Sequence, residues 1–93
     1  MNKVFKVGLI GCGHISETYF RGHDYFNNFQ IVKCADINEE NAKKCSETYG
    51  ITPCSVEDLL NDSEIEIILN LTIPRAHFEV AKQSLEKGKH VYS

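Results

Sequence analysis

Two glycines near the start of the chain are the residues whose spacing most clearly indicates chemistry. Gly11 and Gly13 directly follow an apolar run over residues 4–10, and a helical pattern begins at His14. A buried strand that leads through glycines into a helix presents unpaired N–H donors and the positive end of the helix dipole. Because glycine has no side chain, phosphate oxygens can reach those donors. The spacing favours a diphosphate site, with an ordinary tight turn between strand and helix as the alternative.

The glycines follow most of a G-x-G-x-x-G/A pattern, which is typical of dinucleotide-binding turns. In that pattern the first glycine allows a tight turn, the second admits the pyrophosphate, and the third keeps helix and strand close. Gly11 and Gly13 fill the first two places, and Ser16 stands at the third. Serine is small enough for that place, and its hydroxyl can bond to a helix carbonyl. The match is therefore imperfect but physically acceptable.

An acidic residue at the end of the second strand-like run strengthens this interpretation. Asp36 follows the run over residues 29–35 and stands 23 residues beyond Gly13. A carboxylate at about 20 residues after the glycines accepts hydrogen bonds from an adenosine ribose. It would also repel a 2′-phosphate, and no arginine stands at Ile37 or Asn38 to neutralise one. We therefore predict NAD rather than NADP, with a solvated cap of the next helix as the alternative role of Asp36.

Composition limits the class of protein. The chain has 93 residues, 42% of them hydrophobic, which indicates one small globular domain. Its net charge of −3 argues against nucleic acid or an anionic membrane as partner. There is no apolar run of bilayer length and no signal-peptide pattern. The four cysteines have no C-x-x-C or zinc-ligand spacing. We thus expect no metal site, and we expect Cys34 and Cys45 to be small buried thiols in a reducing cytoplasm.

Strand-like and helix-like segments alternate along the chain. They predict an α/β fold of the Rossmann type, a doubly wound parallel sheet with strand order 3-2-1-4-5 and helices on both faces. Strands are predicted near residues 3–10, 29–35, 52–54 and 66–71 and from residue 90, and helices near 14–27, 39–49, 55–60 and 74–87. In the last helix, Phe78, Ala81 and Leu85 are predicted to face inward.

The predicted topology brings three separate sequence features together. The glycine turn over residues 11–13 and the segment over residues 71–74 follow strands one and four, which are neighbours in this order. Asp36 ends strand two beside them. In an open parallel sheet, ligands bind outside the carboxyl ends of the strands, where the strand order reverses. The sequence therefore predicts one crevice that contains all three features.

Four segments in order and spacing carry a family resemblance. They are V-G-L-I-G-C-G-H-I-S at residues 7–16, A-D-I-N-E-E-N-A at 35–42, L-T-I-P-R-A-H-F-E-V-A at 71–81 and G-K-H-V at 88–91. The chain resembles the N-terminal half of the Gfo/Idh/MocA oxidoreductases, a family that includes glucose–fructose oxidoreductase and inositol dehydrogenases. The resemblance implies a dehydrogenase that uses NAD or NADP to oxidise or reduce a secondary alcohol of a sugar or cyclitol.

The resemblance also implies cofactor-binding residues. They are Gly11, Gly13, His14 and Ile15 around the pyrophosphate, Asp36 with Ile37 at the adenosine ribose, and Leu71, Thr72, Pro74 and His77 at the nicotinamide ribose. Many family members place the proline one position earlier than Pro74. No catalytic residue is assigned to this chain.

The resemblance implies a further part of the enzyme as well. A Glu-Lys-Pro motif with a lysine that acts on the substrate hydroxyl would follow G-K-H-V, whereas the sequence ends at Ser93. We therefore expect residues 1–93 to be the NAD(P)-binding domain of a longer, homo-oligomeric enzyme, with the substrate domain absent, and to be inactive alone. Two alternatives remain, a non-catalytic nucleotide-sensing or regulatory module and a methyltransferase-like domain. In a methyltransferase-like domain, the segments T-x-P-x-x-H and G-K-H-V would have no role.

Overall fold

A five-stranded parallel sheet forms the centre of the molecule. The computed structural model describes residues 4–12 and 29–92. Their strands are β1 (Phe5–Ile10), β2 (Phe29–Ala35), β3 (Thr52–Pro53), β4 (Ile67–Asn70) and β5 (His90–Tyr92), and their helices are α1 (Glu39–Tyr49), α2 (Val56–Asn61) and α3 (Pro74–Glu86). The spatial order is β3-β2-β1-β4-β5 with every neighbouring pair parallel. The predicted order 3-2-1-4-5 is confirmed. The predicted helix over residues 14–27 lies outside the described residues.

Apolar side chains cover both faces of the sheet, as a parallel sheet requires. One face packs against α1 and the other against α2 and α3. The first core comprises Val7, Leu9, Ile31, Cys34, Ile67 and Leu69 with Cys45 of α1. The second comprises Ile10, Ala35, Ile65 and Ile68 with Leu59 and Leu60 of α2 and Val80 of α3. The prediction of helices on both faces is confirmed.

Local capping signals set the ends of α1 and the start of α2. The Asn38 side chain accepts a hydrogen bond from the Glu40 N–H at the start of α1, and Gly50 ends that helix at φ 70°. The Ser55 hydroxyl accepts a bond from the Asp58 N–H at 3.0 Å. Each cap satisfies backbone groups that the helix leaves without an intrahelical partner.

Helix α3 presents a different face to the sheet from the one predicted. The predicted inward positions Phe78 and Leu85 are 77% and 63% exposed, so that prediction is wrong. Val80 and Ser84 are buried instead. The Ser84 hydroxyl donates to the Val80 carbonyl at 2.7 Å, which removes most of the cost of burying it. Small side chains therefore face the sheet, and the two large ones lie on the neighbouring side of the helix.

A buried lysine ties the connection before β4 to the start of β5. Lys89 is 7% exposed, and its Nζ donates to the carbonyl oxygens of Asp62 at 2.8 Å and Ile65 at 2.7 Å. Burial lowers the pKa of Lys89, because a low-dielectric surrounding disfavours the charged form. The Asp62 carboxylate pairs with Lys33 of β2. The hydrogen bond from Lys33 lowers the pKa of Asp62, and the Glu64 N–H lowers it further.

Candidate functional site

Gly11 turns the chain out of β1 in a conformation that suits only glycine. Its φ is +97°, and its N–H donates to the Ala35 carbonyl at the end of β2 at 2.9 Å. A Cβ added there would lie 2.6 Å from the carbonyl carbon of Leu71 and 2.8 Å from the nitrogen of Thr72. The position thus needs glycine for two reasons, the positive φ and the close approach of the segment after β4.

The Asp36 side chain faces the turn that follows β1. Its Oδ2 accepts a hydrogen bond from the Cys12 N–H at 2.7 Å, and its Oδ1 accepts one from the Asn38 N–H at 2.8 Å. A carboxylate oxygen has two acceptor sites, so each oxygen keeps the capacity for another donor. The carboxylate is therefore oriented by the backbone and is still able to bind a hydroxyl group.

The segment after β4 lies against Gly11, at the start of the turn that follows β1. The Leu71 N–H donates to the Ile10 carbonyl at 2.8 Å, which extends the pairing of β4 with β1. Leu71 and Thr72 are both half-buried. The end of β4 and the turn after β1 consequently form one edge, and Asp36 lies at the same edge through its bond to Cys12.

Asn70 organises this edge, although the sequence indicated only that it belongs to a strand. It is 1% exposed, and its Nδ2 donates to the His77 carbonyl in α3 at 2.9 Å. Its Oδ1 accepts bonds from the Thr72 hydroxyl at 2.7 Å and the Thr72 N–H at 3.3 Å. One buried amide thus links β4, the following turn and the first turns of α3. The available signal was a polar residue at the end of an otherwise apolar strand.

The remaining predicted site residues differ in how the structure places them. Pro74 is at the first turn of α3, where its missing N–H costs nothing, and His77 is half-buried in the same helix. Ile37 is 82% exposed beside Asp36. The predicted residues Gly13, His14 and Ile15 lie outside the described residues, and their roles stay predictions.

Three cysteines that are distant in the sequence meet beneath this edge. The sulfur atoms of Cys12, Cys34 and Cys45 all lie within 4.8 Å of one another. The neighbouring Cys34 thiol, together with burial, raises the pKa of Cys12, and burial raises the pKa of Cys45 to about 11. The neighbouring Cys12 and Cys45 thiols lower the pKa of Cys34. Sequence spacing gave no indication of this cluster.

This combination of sheet order, glycine turn and acidic residue defines a Rossmann-type dinucleotide-binding domain. The model of the Gfo/Idh/MocA family, described as an oxidoreductase family with an NAD-binding Rossmann fold, matches residues 5–93. The chain belongs to this family. The resemblance recognised in the sequence is confirmed, and so is the general function, that of an NAD(P)-binding oxidoreductase domain.

Two curated relatives show the range of enzymes to which the chain is similar. It is 30% identical over 93 residues to an inositol 2-dehydrogenase/D-chiro-inositol 3-dehydrogenase of Lactiplantibacillus plantarum, covering 96% of this chain and 27% of the relative. It is 33% identical over 87 residues to a glucose-6-phosphate 3-dehydrogenase of Bacillus subtilis, covering 92% and 24%. The chain therefore spans about a quarter of the length of these relatives.

Solved structures share the fold. Biliverdin reductase from Synechocystis sp. PCC 6803, solved with biliverdin and NADP⁺, aligns with a TM-score of 0.82 and 32% identity over 92% of this chain and 28% of its own. The WlbA dehydrogenase of Bordetella pertussis, solved with NADH and UDP-GlcNAcA, aligns with a TM-score of 0.87 over 96% and 28%. Its 24% identity supports the fold alone. Within residues 4–12 and 29–92, no helix has the length and apolar character needed to span a bilayer.

Proposed function

We propose that residues 1–93 form the cofactor domain of a dehydrogenase that prefers NAD and acts on a secondary alcohol of a sugar or cyclitol. The observation that supports this most is the meeting of Gly11, Asp36 and Thr72 at one edge of the sheet. Gly11 leaves no room for a side chain against Leu71, and Asp36 is held by the turn after β1. A dinucleotide needs bare backbone and an oriented carboxylate at neighbouring strand ends.

The residues at this edge suit the parts of a dinucleotide. The glycine turn would hold the pyrophosphate, the Asp36 carboxylate would accept hydroxyl groups of the adenosine ribose, and Leu71, Thr72, Pro74 and His77 would lie by the nicotinamide ribose. When bound, the nicotinamide supplies the hydride acceptor or donor of the reaction. The chain's own contribution is to bind and orient the cofactor, with no catalytic residue assigned to it.

The preference for NAD rests on charge at the adenosine ribose. The Asp36 carboxylate would repel a 2′-phosphate, and the next two residues, Ile37 and Asn38, supply no cation. The biliverdin reductase that resembles this chain was solved with NADP⁺. The preference therefore rests on this chain's own residues and not on its relatives.

The choice of substrate class rests on the relatives. Those reported above are named as dehydrogenases of inositol and of glucose 6-phosphate. We infer that the substrate is held mainly by a second domain, since the chain matches only about a quarter of each relative. Turnover would then need that domain in addition to residues 1–93.

Fluorescence titration with NADH and NADPH tests the cofactor proposal. We expect saturable binding of NADH that is tighter than binding of NADPH. The variant Asp36→Ala should lose most of this discrimination, because the repelling carboxylate is gone. The matched variant Glu47→Ala, which removes an exposed acid from α1, should keep it. Absence of saturable NADH binding by protein that circular dichroism shows to be folded would contradict the proposal.

A further inference from the structure

The thiols of the cysteine cluster are nucleophilic groups to which the proposed function assigns no role. Cys12 comes from the turn after β1, Cys34 from β2 and Cys45 from α1, and their sulfur atoms lie within 4.8 Å of one another. In the parts of the chain that the structure describes, this is the single group of three or more His, Cys, Asp or Glu side chains close enough to share one ion. Three elements of the fold thus converge on one point with thiols.

The surroundings of the cluster are apolar and preformed. Cys34 and Cys45 are 0% and 4% exposed and belong to the core on the α1 face of the sheet, against which Cys12 packs. Two thiols donate to backbone carbonyls, Cys12 to Ala35 at 3.4 Å and Cys34 to Ala42 at 3.5 Å, and these bonds are weak because S–H is a weak donor. A ligand that replaced these weak bonds would cost the protein little.

The sulfur positions nearly match those around a shared ion. Thiolate sulfurs at about 2.3 Å from one centre stand roughly 3.5–4 Å apart, depending on the angle at that centre. The sulfur atoms here lie within 4.8 Å of one another, so side-chain shifts of about 1 Å or less would complete the site. Because soft sulfur ligands select soft ions, the occupant is a thiophilic one rather than magnesium or calcium.

Charge decides which thiophilic ion suits a buried site. Three thiolates around a divalent ion leave a net charge of −1, and around a monovalent ion −2. Both would place excess negative charge in an apolar core close to the Asp36 carboxylate, which accepts a hydrogen bond from the backbone N–H of Cys12 at 2.7 Å. Zinc also prefers four ligands, and no fourth His, Cys, Asp or Glu joins the group among the residues described. A trivalent ion on three thiolates leaves no net charge.

We propose that Cys12, Cys34 and Cys45 form a three-thiol site for trivalent arsenic, which reaches it as neutral arsenous acid. Three arsenic–oxygen bonds break and three arsenic–sulfur bonds form. Each thiol proton leaves with one hydroxyl group as water, so that three water molecules are released. Arsenic stays trivalent and sulfur keeps its oxidation state, so the exchange needs no oxidant or reductant. The bound ion would join the turn after β1 to β2 and α1.

The chain contains its own control for this site. Cys54 is the fourth cysteine, and it packs against the second core, on the opposite face of the sheet from Cys34 and Cys45. Reduced protein is titrated with arsenite without added thiols and is then measured by native mass spectrometry and by X-ray absorption at the arsenic edge. We expect one arsenic per chain with three sulfur neighbours. Cys54→Ala should bind it equally well.

Removal of one cluster thiol should weaken binding while the fold is kept. Cys12→Ala, Cys34→Ala and Cys45→Ala should each bind arsenite at least about tenfold more weakly. Even loss of a residue that only hydrogen-bonds to a metal ligand typically lowers metal affinity ten- to a hundredfold. Circular dichroism shows which variants fold. If Cys34→Ala does not fold, Cys45→Ala provides the test, because it lies in a helix and alanine favours helices. Coordination by two sulfurs, unchanged affinity in the folded cluster variants, or tighter binding of Zn²⁺ than of arsenite in a parallel titration would overturn the proposal.

Discussion

The Cys12 N–H donates a hydrogen bond of 2.7 Å to Oδ2 of Asp36 across 24 positions of sequence. This contact joins the start of the turn after β1 to the end of β2, so Cys12 and the Asp36 carboxylate form one structural unit. The second oxygen of Asp36 is held by the Asn38 N–H, at the cap of α1. The position of the carboxylate is consequently set by backbone on both sides and not by a flexible side-chain contact.

Substitution of Gly11 should damage both stability and cofactor binding. Gly11→Ala places a Cβ 2.6 Å from backbone of Leu71 at a φ of +97°. The conformation alone costs about 1–2 kcal/mol, and the clash with backbone adds to that. Gly50→Ala is the control, since its φ is +70° but nothing lies within 4 Å of the added Cβ. Urea unfolding and NADH titration should show a larger loss for Gly11→Ala, and equal losses would refute the argument from close approach.

Asn70 should prove to be a positioning residue for the site. Asn70→Ala removes the amide that donates to the His77 carbonyl and accepts from the Thr72 hydroxyl. Both groups then lose this hydrogen-bond partner. We expect a loss of about 2–4 kcal/mol in the free energy of unfolding, together with weaker NADH binding. Gln83→Ala removes an exposed amide that bonds to Glu79 and should change stability by no more than about 0.5 kcal/mol. Wild-type NADH affinity in folded Asn70→Ala would show that the amide does not order the site.

The observed orientation of α3 predicts unequal effects of substitution at two of its apolar residues. Val80 is 8% exposed and packs in the second core, whereas Phe78 is 77% exposed. Val80→Ala should lower the free energy of unfolding by about 1–3 kcal/mol, and Phe78→Ala should change it by no more than about 0.5 kcal/mol. Chemical denaturation of both variants checks this. A larger loss at Phe78 than at Val80 would restore the orientation expected from hydrophobicity.

Asp62 should make stability fall in acid. Its pKa lies below the ordinary 3.8 because Lys33 and the Glu64 N–H bind its charged form. The native state therefore takes up the proton at lower pH than the unfolded chain does. The stabilisation by the charged carboxylate is complete above the pKa of the unfolded chain and is lost as pH falls through the lower pKa of the native state. Asp62→Asn should be less stable than wild type at pH 7, and the difference should shrink below about pH 3.8.

Urea unfolding between pH 7 and pH 3 measures this difference. Glu57→Gln, an exposed acid in the first turn of α2, serves as the charge control and should show a smaller difference at pH 7. If the difference in the free energy of unfolding between Asp62→Asn and wild type stays constant down to pH 3, the ion pair with Lys33 is not its cause.

Local patterns were enough to predict the sheet and its edge. The positive φ at Gly11, the acid after β2 and the caps at Asn38 and Ser55 are decided by neighbours in sequence, because backbone conformation and capping are short-range effects. The strand order followed from right-handed crossovers and alternating segments, which depend little on individual side chains. Cofactor contacts at Gly13, His14 and Ile15 remain predictions from the family resemblance.

Only the tertiary structure decided how side chains from different elements meet. Cys12, Cys34 and Cys45 form a cluster because a turn, a strand and a helix converge, and no spacing rule encodes that convergence. Asn70 became a link between β4 and α3 for the same reason. The side of α3 that faces the sheet depends on close packing around Val80 and Ser84, which outweighed the larger apolar area of Phe78. Sequence pattern thus determined the backbone path, and packing across the sheet determined which groups share a site.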